Sequence, residues 1–336
     1  MSLHLVPFSA LTDADLDAWS ALRGATWDSP YYAPEYIAAV HAGRPVDVLL
    51  SDDLSFLWPL HKSGSSARPA GSPGADFQGP LLAPGIRFSP QALLSAAGVR
   101  SFSFDHLLDI YPDMSPWVEE RRPSPFMDVT GGLDGYLGRV GKSGRDKMSE
   151  ARRLTNKAGR DLGPVTFEAT APAEFLDEII ALKREQYAST GAKDHFADPV
   201  QRELLHRLLS SGLGMVSTVH AGPHLLAAHF GIRSGGVLHW WFPVYAKKFS
   251  PLSPGWILLR AVVTAAPALG MTRIDLGRGE DDYKRRAMTG QSTVCVGAVT
   301  AGGVRAVLRK AGRAAVTAAK ASPIAPQLRA IARKLR

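Results

Sequence analysis

Three strand-like runs separated by short turns constrain the fold of this chain more than any other feature. They cover residues 214–220, 225–232 and 237–245, and the turns between them read AGP and SGG. Turns this short join strands that lie side by side and run antiparallel. An apolar helix after Ser253 and the strand RIDLG come next, and we expect this strand to lie beside residues 237–245. The pattern therefore predicts an α+β fold with a mixed, mostly antiparallel sheet.

Helices and one strand are predicted directly before these runs. Residues 142–160 place apolar side chains on one face at helical spacing. The opposite face is basic and carries Arg145, Lys147, Arg152, Arg153 and Lys157. A strand at 165–169 and helices at 172–189 and from Pro199 follow. After RIDLG we expect a charged turn and a last strand, STVCVGAV.

The first part of the chain reads as a smaller half of the same class. Two helices and a hairpin are expected before residue 64. Residues 64–85 are rich in Pro, Gly and Ser, which predicts a loop. Strand-like sequence resumes at residue 101. A length of 336 residues accommodates two domains, and we place them at 1–125 and 126–301.

The basic character of the chain is concentrated in residues 302–336, where we predict a basic helical tail. This segment holds nine Lys or Arg and no acid, so the net charge of +8 leaves −1 for the rest. Such a tail is a candidate for contact with a membrane surface or an acidic partner. The nearly neutral body disfavours nucleic acid as a partner.

Several functional classes lack their usual signals. The one cysteine excludes an internal disulfide and a cysteine-based zinc site. No apolar stretch is long enough to span a membrane, and the first residues show no secretory signal. Dinucleotide, Walker, zinc-hydrolase and serine-hydrolase motifs are missing. We therefore expect a metal-free protein that is cytoplasmic, with a membrane-peripheral location as the alternative. Transfer of a group from a phosphate-bearing carrier remains open as its function.

The start of the helix after residue 252 is a candidate phosphate site. The four residues Ser253, Pro254, Gly255 and Trp256 offer a hydroxyl, a fixed φ and a bare backbone at the positive end of a helix dipole. Glycine allows a ligand to approach the backbone closely. The alternative is an ordinary helix cap and turn.

A lysine follows the next strand. Neighbouring strands that part at their carboxyl ends leave a crevice, and Lys284 lies just beyond such a point. There it could stabilise negative charge on a carbonyl oxygen; the alternative is a surface lysine within YKRR. His239 is a candidate general base or a packed strand residue, and His195 a candidate pocket residue.

These motifs resemble the GNAT acyltransferase superfamily, in its CelD-type (cellulose-biosynthesis-like) acetyltransferase subgroup, which is related to Fem-type aminoacyltransferases. The resemblance rests on YLGRVGKSGRDKMSEARR, SPGWILL and DLGRGEDDYK in the second half, and on SPYYAPEYI and ADFQGP in the first. It implies tandem GNAT-like halves, of which the first lacks a working cofactor site. Glu280, where the family has Asp, and Pro267, late in a helix, depart from the family pattern.

The resemblance implies a GNAT-type N-acyltransferase that moves an acyl group from acyl-CoA to an amine or hydroxyl, on a saccharide or cell-envelope precursor in polysaccharide biosynthesis. Alternatives are an aminoacyl-tRNA-dependent Fem-type transferase and a non-catalytic module of a polysaccharide assembly. Lys284, Tyr283, Asp275 and His239 are the implied catalytic residues, with His239, Asp275 and His195 as candidates for the base. The candidate cofactor-binding residues are Ser253, Pro254, Gly255 and Trp256, and the candidate substrate-binding residues are Tyr187, His195, Trp241 and Glu280.

Overall fold

The computed structural model describes residues 2–279 and 281–302, and within them the fold is α+β, as expected. The elements of the first part are β1 (Leu3–Pro7), α1 (Asp13–Thr26), α2 (Pro34–Gly43), β2 (Asp47–Ser51), β3 (Phe56–Ser63), β4 (Ser66–Pro69), β5 (Leu81–Leu82), α3 (Pro90–Ala97), β6 (Ser101–Leu108) and β7 (Val118–Asp128).

The second part begins with two helices and continues through the expected meander. Its elements are α4 (Gly132–Arg139), α5 (Lys142–Leu162), β8 (Val165–Glu168), α6 (Phe175–Thr190), α7 (Pro199–Ser210), β9 (Gly214–Ala221), β10 (His224–Ser234), β11 (Val237–Tyr245), α8 (Pro254–Ala265), β12 (Arg273–Asp275), α9 (Asp282–Ala287) and β13 (Gly290–Thr300).

Several elements differ from the sequence predictions. The expected loop at 64–85 contains the short strands β4 and β5, and α3 and α4 were not predicted. Helix α6 begins at Phe175, three residues later than expected. The charged turn around Tyr283 is the short helix α9. The meander β9–β10–β11, the basic helix α5 and the strand β12 beside β11 are confirmed.

One continuous sheet runs through the described residues, in the order β1-β2-β3-β4-β6-β13-β7-β12-β11-β10-β9-β8, with β5 paired to β3. The last strand, β13, lies between β6 and β7 and is antiparallel to both. Strand β7 in turn pairs with β12. The two parts of the chain therefore exchange strands, and the predicted boundary after residue 125 falls inside β7.

The sheet contains two places where parallel strands meet and then diverge. Strands β4 and β6 are in register only at Ser66 with Ser101 and at Ala67 with Phe102. Strands β11 and β12 are in register over three pairs, from Val237 with Arg273 onwards. We call these the first and the second divergence.

Helices cover both faces of the sheet around the second divergence. Helix α6 packs its Ile179 and Ile180 into a core that also contains Phe196 and Phe230. Helix α8 packs into a separate core with α5, in which Leu258 is fully buried. Strand β11 contributes to both cores, so α6 and α8 lie on opposite faces of the sheet. Among the described helices, none combines the length and apolarity needed to cross a membrane.

Candidate active site

A cavity of about 570 Å³ opens at the second divergence. It is bounded by the carboxyl-terminal part of β11, by the start of α8 and by the segment around α9, and α6 closes it from the opposite face of the sheet. Its lining comprises Lys183, Gln186, Trp240, Trp241, Pro243, Val244, Tyr245, Ser250, Ser253, Pro254, Gly255, Trp256, Leu259, Asp281, Tyr283 and Lys284. Both motifs singled out in the sequence, SPGW and the Tyr-Lys pair, therefore face one space.

The start of α8 leaves its backbone accessible to the cavity. Pro254 occupies the first helical position, where its fixed φ suits the helix. Ser253 adopts a left-handed conformation with φ 48°, and its side chain does not cap the helix. A Cβ on Gly255 would meet nothing within 4 Å. The space beside this glycine is thus open, as an approach path for an anionic group requires.

Lys284 is held at the cavity wall by backbone oxygens. It is buried, and its Nζ donates to the carbonyl of Gly277 at 3.3 Å and to that of Arg278 at 2.9 Å. The Asp281 carboxylate lies 3.6 Å away. Burial lowers the pKa of Lys284, against the opposing effect of Asp281. The two carbonyls take two of the three donors of the ammonium group, and the third faces Asp281, which a ligand would have to replace or share.

Tyr283 lies beside Lys284 in the cavity wall. Burial raises the pKa of its hydroxyl above the ordinary tyrosine value, and the charge of Asp281 adds to this effect. The hydroxyl therefore stays protonated at neutral pH and can donate a hydrogen bond to a ligand.

His239 lies beneath the cavity and is not part of its lining. Its ring is buried, and Nε2 donates to Asp76 Oδ2 at 2.7 Å. Its Nδ1 has no hydrogen-bond partner among the residues described. Tyr31 packs edge-on against the ring, with 4.9 Å between centroids. His239 is thus a buried partner of a carboxylate from the first half.

Asp76 belongs to the ADFQGP segment and was missed as a site residue. Its other oxygen lies 3.3 Å from His106 Nε2. Burial acts to raise the pKa of Asp76, but the hydrogen bond and charge of His239 outweigh it and hold the pKa below its ordinary value. Gly277 approaches so closely that a Cβ there would lie 2.7 Å from Asp76 Oδ2. Its φ of 71° also favours glycine at this turn.

Asp275 is engaged in an ion pair and does not line the cavity. It is 1% exposed, and its Oδ1 accepts from Arg273 Nε at 2.8 Å. Burial raises the pKa of Asp275, whereas the charge of Arg273 lowers it. The Arg273 guanidinium also covers the ring of Phe126, at 3.7 Å.

The candidate substrate-binding residues divide into two groups. Trp241 lines the cavity. Tyr187 and His195 contact each other with 5.8 Å between ring centroids, and neither is among the lining residues. Glu280 lies outside the described residues. Lys183 and Gln186, from the same helix as Tyr187, do line the cavity and were not singled out in the sequence.

Trp240, in the cavity wall, is held by a stacked histidine. Trp240 stacks on His229 with 3.8 Å between ring centroids, which fixes its position in the cavity wall. Within residues 2–279 and 281–302, no three His, Cys, Asp or Glu side chains are placed to hold a metal ion.

Residues 145–285 match the acetyltransferase (GNAT) domain family. Three solved structures share the fold over most of the chain. FemX has a TM-score of 0.61 and 9% identity, covering 84% of this chain and 96% of that one. L-PGS from Bacillus licheniformis has a TM-score of 0.57 and 13% identity, covering 90% and 96%. A tandem GNAT protein from the clavulanic acid biosynthesis pathway has 0.51 and 12%, covering 90% and 99%.

No curated protein sequence matches this chain significantly. The domain match and the shared fold support the GNAT superfamily and a transferase. The CelD-type subgroup stays a prediction, and so do the roles of the individual site residues.

Proposed function

We propose that this protein is an acyl-CoA-dependent N-acyltransferase whose reaction takes place in the cavity at the second divergence. The observation that carries this proposal is that Gly255, at the start of α8, and Lys284 line the same cavity. A bare helix start suits the phosphates of a carrier, and a partly desolvated ammonium suits charge that develops on a carbonyl oxygen.

The donor would enter beyond the three residue pairs that join β11 and β12, where the two strands no longer pair. Its phosphates would lie against the backbone of Ser253 to Trp256, and its thioester would point towards Lys284. The open space around Gly255 supports this placement, because a phosphate can reach the backbone there without displacing a side chain.

The transfer step needs groups that stabilise negative charge on the carbonyl oxygen and on the departing sulfur. An acceptor amine attacks the thioester carbonyl, the C–N bond forms, and the C–S bond breaks as the thiolate leaves. Lys284 would stabilise the oxyanion of the tetrahedral intermediate, and the hydroxyl of Tyr283, which lines the same cavity, would donate a hydrogen bond to the thiolate.

The acceptor amine must also lose a proton. The three candidates for the base, His239, Asp275 and His195, lie outside the residues that line the cavity. His239 and Asp275 are in addition tied to Asp76 and Arg273. Proton transfer to any of the three would therefore require an intervening water.

The test is mass spectrometry of products after incubation with a panel of acyl-CoA donors and amino-sugar or amine acceptors. The proposal expects a product heavier by the acyl group and release of free CoA. Lys284→Met should slow product formation by about a hundred- to a thousandfold while leaving the protein folded. If acetyl-CoA stabilises the protein against heat but no product forms, the result would favour the alternative of a non-catalytic binding module.

An aminoacyl-tRNA donor is the second candidate. FemX and L-PGS share the fold, and the sequence resemblance connects Fem-type enzymes with this donor. Helix α5 also exposes Arg145, Arg152 and Arg153 on one side, where RNA phosphates would find positive charge. Retention on tRNA that weakens steeply with salt, without stabilisation by acetyl-CoA, would favour this donor.

The proposal extends to the acceptor, the cellular location and the basic segment of the chain. We infer a cytoplasmic protein whose acceptor is a saccharide or cell-envelope precursor, with the basic segment after residue 302 contacting an anionic membrane surface or an acidic partner. Supporting this are the nine basic residues of that segment, which lies outside the described residues. Co-sedimentation with anionic and neutral vesicles tests the membrane contact.

A further inference from the structure

Lys183 lies on the buried face of α6, one turn after Ile179 and Ile180, which is an unusual position for a lysine. Helix α6 places its side chain in the cavity wall, where it is partly buried. Its Nζ donates to the carbonyl of Pro243 at 3.3 Å. Among the described residues, no carboxylate pairs with it. Its Nζ also lies 5.6 Å from the centroid of the Tyr187 ring. Within the part of the chain that the structure describes, the carbonyl of Pro243 is the hydrogen-bond acceptor of this ammonium group, so a ligand in the cavity can accept from its other donors.

A second ammonium group shares this cavity. Lys284 lines the same space, and Asp281, the one carboxylate among the described residues of the lining, lies beside Lys284. The charged side chains of these described residues are two ammonium groups and one carboxylate. Burial, assisted by the charge of Lys284, lowers the pKa of Lys183 to about 8. An ammonium group that is desolvated and repelled in this way gains strongly from an anionic ligand.

The position of Lys183 distinguishes the acceptor from the donor. Helix α6 packs on the face of the sheet opposite to α8, whose start receives the donor phosphates in the function proposed above. Lys183 also contacts Pro243, in the last part of β11, beyond the residues that pair with β12. Its ammonium therefore lies on the side of the cavity that remains for the second substrate.

We propose that the acceptor carries a carboxylate or phosphate group and that Lys183 binds this group on the α6 side of the cavity. The inference rests on the proposed function, because it assigns the α8 side to the donor. Lys183 is then a specificity-determining residue, and the acceptor class narrows to amines that bear an anionic group, such as phosphorylated amino sugars or amino acids.

The experiment uses matched acceptors that differ only in the anionic group. Glucosamine 6-phosphate is compared with glucosamine, and D-alanine with D-alaninamide, so that the two pairs distinguish a phosphate from a carboxylate. Initial rates with acetyl-CoA are followed by thiol release. We expect kcat/KM to favour the anionic member of at least one pair by about ten- to a hundredfold, as one charged hydrogen bond would give.

Three variants assign the effect to Lys183. Lys183→Met should remove the preference by slowing the anionic acceptor and leaving the neutral one unchanged. Lys183→Arg should retain part of the preference, because it keeps the charge. The matched control is Lys193→Met, which removes one charge from an exposed position after the same helix and should leave the preference intact.

A binding measurement separates failure of this inference from failure of the proposed function. Calorimetry with the same four compounds, without donor, should show tighter binding of an anionic member to the natural protein and no difference for Lys183→Met. This holds even if no acyl transfer is detected. If neither anionic compound binds or reacts better than its neutral partner, the inference is wrong while acyl transfer can still stand. Weakened acetyl-CoA binding in Lys183→Met would also overturn it, since Lys183 would then serve the donor.

Discussion

The first and second divergences have the same strand geometry but differ in what fills them. At the first, Gln78 inserts beside β6, so that its backbone N–H donates to His106 O at 2.9 Å and its carbonyl accepts from Leu108 N at 3.0 Å. Its side chain donates to Asp105 at 2.8 Å. At the second, the corresponding space is the cavity lined by Gly255 and Lys284.

Helix α3 follows the first strand of the first divergence, and helix α8 follows the first strand of the second. The two helices differ in whether a side chain caps their first turn. Both begin with Ser-Pro. In α3 the Ser89 hydroxyl accepts from Ala92 N at 3.3 Å, so the helix caps itself. In α8 Ser253 is left-handed and makes no side-chain cap. A filled gap accompanies a satisfied helix start, and an open gap accompanies an unsatisfied one, which is where a ligand can contribute its own hydrogen bonds.

The comparison also shows what the filled half contributes. The segment that fills the first divergence carries Asp76, which reaches His239 in the second half. The first half therefore supports the cavity of the second half through Asp76, while Gln78 occupies the gap of the first half.

The largest effect is expected from Lys284→Met at the open divergence. Loss of the group that stabilises the oxyanion should lower kcat by about a hundred- to a thousandfold. Steady-state rates with a donor and acceptor identified by mass spectrometry measure it. The control is Lys62→Met, an exposed lysine of β3 in the first half, which should retain full activity. Near-normal activity of Lys284→Met would remove Lys284 from the chemistry.

Gly255→Val should weaken donor binding by about ten- to a hundredfold, because a side chain would keep one charged hydrogen bond from forming. Calorimetry with acetyl-CoA measures this. Stability should barely change, since the Cβ meets nothing in the free protein. Gly24→Val in α1 is the matched control, because its Cβ is equally unobstructed. Equal acetyl-CoA affinity in the two variants would place the donor elsewhere.

Gln78→Ala tests the filled divergence and should destabilise the protein by about 2 kcal/mol, because the polar groups that the side chain satisfies lose their partners. Urea denaturation measures the free energy of unfolding. Gln291→Ala, at an exposed position of β13, serves as its control. If Gln78→Ala unfolds at the same urea concentration as the natural protein, the first divergence is not held closed by this side chain.

The smallest expected effect is a difference in stability between substitutions of Ser89, at the start of α3, and of Ser253, at the start of α8. Ser89→Ala should cost about 1 kcal/mol of stability through loss of the cap. Ser253→Ala should cost no cap energy, since its side chain makes no capping bond. Thermal unfolding of both variants, each with and without acetyl-CoA, makes the comparison. A larger loss for Ser253→Ala than for Ser89→Ala in the free protein would contradict it.

Local sequence patterns were sufficient to predict much of this architecture. The meander follows from period-two alternation and short turns, and the start of α8 follows from Ser253 and Pro254. The convergence of SPGW and Lys284 on one space was expected because a strand after a helix commonly returns beside its predecessor.

Contacts between distant residues could not be predicted in this way. Asp76 and His239 are 163 residues apart, and nothing in a loop rich in Pro and Gly indicates such a partner. Lys183 follows Ile179 and Ile180 at helical spacing, which places it on the apolar face of α6, but this spacing does not indicate which cavity the side chain reaches. The insertion of β13 between β6 and β7 depends on pairing between strands that are far apart in the sequence, and local periodicity does not reveal such pairing.

The position of β13 sets the order in which the chain can complete its structure during synthesis. Strands β6 and β7 leave the ribosome long before residues 290–300, yet β13 is the strand that occupies the space between them. Until it arrives, each nascent strand presents an unpaired edge that invites pairing with other chains. The centre of the sheet can therefore close only after residues 290–300 have been synthesised.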